Sequence, residues 1–205
     1  PNDPTTASFV EEIHLDHAAV LDVVVDGQDG DDLDLFVLYD FNGDGADDLA
    51  TGIPFDRGFA GIDCPNCGIV VVRYGIPGVG LATSPTTTVL FQGYAGSPTA
   101  PMASEYFGFA RAAGDFNGDG FDDLAVGIPL ERHPDLADAP IGAVEVHYGT
   151  ADGLLVDVAD WIHRYTAGWE IPPTSCPAAP DQFGWALAAG DFNGERNYTM
   201  QLESS

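Results

Sequence analysis

Two short acidic stretches concentrate the residues of this chain best suited to holding an ion. Asp40-Phe-Asn-Gly-Asp-Gly-Ala-Asp-Asp48 and Asp115-Phe-Asn-Gly-Asp-Gly-Phe-Asp-Asp123 each place a carboxylate or amide at positions 1, 3, 5 and 9. Those side chains are Asp40, Asn42, Asp44 and Asp48 in the first copy, and Asp115, Asn117, Asp119 and Asp123 in the second. In a tightly curled segment odd spacing turns alternate side chains toward one centre, and Gly45 or Gly120 at position 6 permits the bend. Position 7, Ala46 or Phe121, offers its backbone carbonyl. An all-oxygen set of this size suits calcium, and suits magnesium less, since magnesium keeps more water in a strict octahedron. Left without a counter-ion, the carboxylates would repel: two unit charges about 4 Å apart interact by roughly 4 kcal/mol at an effective dielectric near 20. Calcium is therefore expected at both loops. Asp47 and Asp122, at position 8, are expected to point outward.

The competing readings of these loops are weaker. An EF-hand needs a bidentate Glu at position 12, where this chain has Thr51 or Val126, and it needs flanking helices where the flanks here look like strands. A third copy opens with Asp191-Phe-Asn193-Gly but continues with Glu195, Arg196 and, at position 9, Thr199, so it is a broken site. The acidic run Asp26–Asp34 does not keep the 1-3-5-9 spacing. His14-Leu-Asp-His17, beside Glu11 and Glu12, could form another metal site, but solvated polar residues explain it more simply.

The elements that must position these loops are read from their repetition. The loop recurs at 40, 115 and 191, a period of 75 to 76 residues. Gly68-Ile-Val-Val-Val-Arg-Tyr-Gly75 reappears as Gly142-Ala-Val-Glu-Val-His-Tyr-Gly149, and Phe107-Gly-Phe-Ala-Arg-Ala-Ala-Gly114 as Phe183-Gly-Trp-Ala-Leu-Ala-Ala-Gly190. Short β-branched runs bounded by glycine favour strands, and no helical period persists beyond two turns. Each unit is expected to be an antiparallel sheet of about four strands, and radial repetition of such sheets makes a β-propeller. The expected class is all-β, with about 2.5 to 3 blades and so an incomplete propeller. Three segments follow: an atypical stretch at 1–31, the repeats at 32–194, and an anomalous tail at 195–205 that reads as truncated or frame-shifted.

Phe107-Gly108 before the loop and Gly127-Ile128-Pro129 after it resemble the FG-GAP repeat, the unit of the seven-bladed propeller of integrin alpha subunits and of many secreted bacterial proteins. The resemblance covers roughly 32–194. The first copy departs from it, with Asp32-Leu33 at the Phe-Gly position. The resemblance implies an extracellular, calcium-stabilised scaffold whose loops bind a protein or glycan ligand. It also allows the accessory propeller of a secreted hydrolase whose catalytic part lies elsewhere. Missing blades or self-association would then complete the sheets, whose unpaired edges otherwise invite association.

Composition bounds the partners. A formal net charge of −27 with no lysine disfavours nucleic acid and anionic lipid, while 45% hydrophobic residues argue for a packed core; high-salt adaptation is a partial explanation of the charge. No apolar run is long enough to span a membrane as a helix. The chain begins at Pro1 and reads as a piece of something longer. Cys64-Pro-Asn-Cys67 has zinc-knuckle or redox spacing but no second pair, so a small loop disulfide is expected; Cys176 is left over. No nucleophile elbow, phosphate loop or zincin helix appears, so no catalytic residues are expected. Trp161, Trp169 and Trp185 are expected to pack between blades rather than to hold sugar, and His147 to lie at a surface or edge. Asn197-Tyr-Thr199 has the glycosylation pattern but lies in the anomalous tail.

Overall fold

The computed structural model describes residues 9–14, 20–25, 36–57, 61–81, 87–93, 97, 99–133, 139–166, 182–190 and 199–203. The expectations placed on Asp26–Asp34, His17, Trp169, Cys176, Asp191, Asn193 and Asn197 lie outside them. The chain divides into two compact units, Pro1–Asp34 and Leu35–Ser205. The first holds one antiparallel hairpin, β1 (Phe9–His14) with β2 (Val20–Val25), in the register Phe9↔Val25 to His14↔Val20.

The second unit is a succession of sheets, and no helix occurs among the described residues. The first blade contains β3 (Phe36–Tyr39), β4 (Asp48–Ile53), β5 (Ile69–Arg73) and, beyond the small hairpin of β6 (Gly75–Ile76) and β7 (Gly80–Leu81), β8 (Thr87–Leu90). Its order is β3-β4-β5-β8, antiparallel throughout. The second blade repeats it with β9 (Arg111–Gly114), β10 (Asp123–Ile128), β13 (Ala143–His147) and β14 (Ala159–Ile162); the short β11 (Arg132–His133) and β12 (Ala139–Pro140) pair between them. Of a third, β15 (Ala186–Gly190) and β16 (Thr199–Glu203) pair. The tail thus departs from the repeat in sequence yet lends a strand. Thr199 lies opposite Gly190 as Asp123 lies opposite Gly114.

Packing between successive blades explains the residue pattern. Side chains alternate faces along a strand. In β10 the face carrying Leu124, Val126 and Ile128 meets Ala50, Val70, Val72 and Leu90 of the first blade around the fully buried Phe107. The opposite face puts Ala125, with Val144 and Val146, against Phe183 and Leu187 of the third. Every residue of β10 is therefore buried, whereas β4 alternates between buried and partly exposed. Truncating Phe107 to Ala would cost about 3–5 kcal/mol.

The Phe-Gly pairs join one blade to the next. Phe107 N–H donates to Cys67 O (2.8 Å) while Gly108 N–H donates to Gly127 O (3.1 Å), so a single turn holds two blades. Phe183 N–H repeats the first of these bonds on Ile141 O (3.1 Å). Backbones approach so closely here that a Cβ on Gly68 would collide with the Phe107 carbonyl, and one on Gly142 with that of Phe183. The Gly-Ile-Val and Gly-Ala-Val segments need glycine for this approach. Cys64 and Cys67 are disulfide-bonded, with Cα atoms 5.6 Å apart, in the connection that receives Phe107.

Candidate functional site

Both acidic loops connect the first two strands of a blade, entering β4 and β10 at Asp48 and Asp123. Each curls by turning its side chains onto its own amides. In the first, Asp40 accepts from Asp44 N–H (3.0 Å) and Gly45 N–H (2.8 Å), Asn42 from Asp44 N–H (3.0 Å), and Asp44 from Ala46 N–H (2.9 Å). The second repeats all four: Asp115 with Asp119 (3.1 Å) and Gly120 (2.9 Å), Asn117 with Asp119 (2.8 Å), Asp119 with Phe121 (2.9 Å). Gly45 and Gly120 adopt φ of 86° and 95°, the left-handed bend expected of position 6.

Position 9 has a role that spacing alone did not reveal. Asp48 is fully buried, and its two oxygens accept from Phe41 N–H (2.8 Å) and Gly75 N–H (2.7 Å). Asp123 does the same with Phe116 (2.8 Å) and Gly149 (2.9 Å). Each carboxylate ties the start of its loop to the glycine two residues past the third strand, where a Cβ on Gly75 or Gly149 would collide with the carbonyl of Asp47 or Asp122. Burial pushes both acids up to about 6 against the pull of those amides; Asp40 and Asp44 raise Asp48 further, as Asp119 raises Asp123.

The two loops also touch. Phe121 lies over Gly43, where a Cβ would come within 2.8 Å of its ring. Asp122, expected to point outward, is instead partly buried and accepts the Asp40 amide of the neighbouring loop. Its pKa is raised by burial, with Asp40, Asp115 and Asp47 adding to the rise. Asp47 is exposed. Asp122 differs because it packs against the first loop, next to Asp40.

The donor chemistry fits a hard cation. Every side-chain ligand offers oxygen, and each amide bond uses one lone pair of an oxygen that has two, so Asp40, Asn42 and Asp44 retain acceptor capacity. Among the described residues no three His, Cys, Asp or Glu side chains already enclose a common point. The loops are curled and charged, with their carboxylates resting on backbone.

Other expected residues lie elsewhere. His147 is buried on β13, an interior strand, rather than at a surface or edge, and its Nδ1 faces Leu155 O at 3.2 Å. Trp161 packs with His133 and His163 at 5.6 and 4.5 Å, within the second blade. His163 is pushed down to about 4 by burial and by His133. Trp185, exposed, meets Phe109 at 4.4 Å, linking the Phe-Gly turns of two blades. That contact ends a row from Phe55 through Tyr106 and Phe109, which sequence reading missed because its members come from different repeats. Phe55 follows the end of β4 and the acidic loop precedes its start, so the row lies at the opposite blade ends from the loops.

Four-stranded antiparallel sheets stacked through their faces, each opening on the same acidic loop, define an arc of β-propeller blades. Residues 107–144 match the FG-GAP repeat, and the chain carries this repeat. It is similar to phosphatidylinositol-glycan-specific phospholipase D of Rattus norvegicus, 30% identical over 169 residues, covering 80% of this chain and 17% of the relative. It is also similar to integrin alpha-PS2 of Drosophila melanogaster, 31% identical over 160 residues, covering 78% of this chain and 9% of the relative. Integrin alpha-E of Mus musculus is 33% identical over 96 residues, 46% of this chain and 8% of that protein. The chain spans less than a fifth of each of these relatives.

Proposed function

We propose that this chain is a calcium-braced, non-catalytic propeller module of an extracellular protein, presenting blade-end loops to a protein or glycan ligand. The observation that supports the calcium reading is the duplicated loop: four matching side-chain-to-amide bonds in each copy, with Asp40 and Asp44 raising the buried Asp48 as Asp119 raises the buried Asp123. The ion would be held by Asp40, Asn42, Asp44, Asp48 and the Ala46 carbonyl, and by Asp115, Asn117, Asp119, Asp123 and the Phe121 carbonyl. It would neutralise the loops and pin the first two strands of each blade. The disulfide Cys64–Cys67 favours an oxidising location. The aromatic row Phe55–Tyr106–Phe109–Trp185 offers a surface away from the ions.

Calorimetric titration tests this reading. Two calcium ions per chain are expected, with a rise in melting temperature, because an ion bound only by the folded loop stabilises it by mass action. Asp44→Ala with Asp119→Ala should remove both ions and the rise. Unchanged stoichiometry in a folded double variant would sink the calcium reading.

A second reading has its own support, since matches to phosphatidylinositol-glycan-specific phospholipase D cover 80% of this chain. On that reading the module accompanies a secreted hydrolase as an accessory propeller. The gene sequence flanking the repeats distinguishes the two: a hydrolase domain supports the accessory role, further adhesion-type domains the first.

A further inference from the structure

A second group of carboxylates is buried where Gln92, Ser97 and Thr99, between the first blade and the second, meet the second blade. Glu105 and Glu131 are each 1% exposed and Glu145 is fully buried. Gln92, also 1% exposed, lies among them: its Nε2 donates to Glu131 Oε2 and stands 3.4 Å from Glu105 Oε2 and from Thr99 Oγ1. Ser97 Oγ donates to Glu145 Oε1 at 2.8 Å. Glu105 accepts from the amides of Met102 (2.8 Å) and Arg132 (3.1 Å). The cluster joins the 91–105 connection to the turn after β10 and to β13.

Acceptors outnumber donors here. Three carboxylates and one amide share the donors just named, and two buried acceptors, Gln92 Oε1 and Glu145 Oε2, have no hydrogen-bond partner among the described residues. Positive charge is scarce. Arg132, from β11, reaches Glu105 at 3.6 Å and donates its other bond to Ala103 O (3.1 Å). His147, from β13, approaches only Glu145, Nε2 to Oε2 at 3.6 Å. None of the described cations pairs with Glu131. Three buried negative charges in this arrangement would be costly, and a proton on one carboxyl both cancels a charge and supplies a missing donor.

We propose that Glu131 is a protonated carboxylic acid that latches the 91–105 connection onto the second blade, and that loss of its proton to solvent in alkaline solution loosens this seam. Burial, then the charges of Glu105 and Glu145, push Glu131 up to about 8 against the pull of Thr99 and Gln92. Burial raises Glu105 as well, opposed by the Met102 and Arg132 amides and the Arg132 charge. An acid whose folded pKa lies above its unfolded value stabilises below the unfolded value, and that stability is lost as pH rises through the folded one.

The test uses the whole chain at constant saturating calcium, with melting temperature followed from about pH 6.5 to about pH 9.5. Wild type should lose melting temperature through about pH 8, while Glu131→Gln, a neutral isostere, should be flat there and exceed wild type at the alkaline end. Glu145→Gln removes a neighbouring charge, and loss of the fall in this variant would place the proton on Glu145 and overturn the proposal. With Glu131 as the acid, the fall moves to lower pH. Parallel profiles for wild type and Glu131→Gln would overturn the proposal. If Glu131→Gln does not fold, infrared spectra of wild type decide: a protonated carboxyl stretch at neutral pH that vanishes in alkali supports the latch, and its absence overturns it.

Discussion

The molecule holds two kinds of carboxylate cluster, and they handle negative charge in opposite ways. In the loops after β3 and β9 the acids at positions 1 and 5 are partly or fully exposed, rest on backbone amides and retain acceptor capacity. Beneath the 91–105 connection the glutamates are enclosed, and acceptors outnumber donors. Water access sets the difference: an open, curled loop admits a hydrated divalent ion, whereas a sealed pocket around Gln92 is neutralised most simply by a proton. On the proposed reading, carboxylates serve as a cation site at one end of the blades and as a titrating seam under the 91–105 connection.

The largest effect that could break this comparison is a reversal of pH dependence by calcium. Without the ion, Asp48 and Asp123 titrate at about 6 in the folded chain, above the ordinary value of 3.8. Their contribution is full below the unfolded value and is lost as pH rises through about 6, so the calcium-free chain should gain stability on mild acidification. Bound calcium favours the ionised form, so the calcium-loaded chain should lose its added stability over the same interval. On the proposed reading, calcium at a thousandfold excess over Kd would stabilise the chain at neutral pH by about 4 kcal/mol per site. Melting curves between about pH 7 and about pH 5, with calcium and with chelator, should converge. Parallel curves would show that these aspartates are not ligands.

A smaller effect separates clamp from ligand. Asp123→Ala in chelator leaves the Phe116 and Gly149 amides without their acceptor and should cost about 2 kcal/mol in urea unfolding. Asp123→Asn keeps one acceptor and sheds a buried charge, so it should cost clearly less while still weakening calcium. Equal losses for both in chelator would mean that Asp123 has no clamping role.

Much of this arrangement was legible in the chain itself. Repetition exposed the blades, because β-branched runs and Phe-Gly pairs recur in fixed register, and the 1-3-5-9 spacing identified the loop residues. What was not legible depends on neighbours from other repeats. His147 aligns with the exposed Arg73, yet packing against the first blade buries it. Glu131 and Glu105 fall in stretches that do not repeat, and their meeting around Gln92 has no periodic signal. Met200 to Glu203 lacks the repeat pattern and still pairs with β15, since backbone pairing asks less of side chains than a buried face does.

The smallest effect concerns position 8, where the two copies differ. Asp47 is exposed, so Asp47→Ala should change stability by no more than about 0.5 kcal/mol. Asp122 accepts the Asp40 amide across the blade boundary, and Asp122→Ala should cost about 1 kcal/mol. Burial next to Asp40 and Asp115 raises the Asp122 pKa, so part of that loss is offset when its charge is removed. The asymmetry should therefore widen in calcium, where neutralised loops leave the amide bond as the main contribution. Matching losses at 47 and 122, in calcium and in chelator alike, would show that the two loops are energetically separate despite their contact.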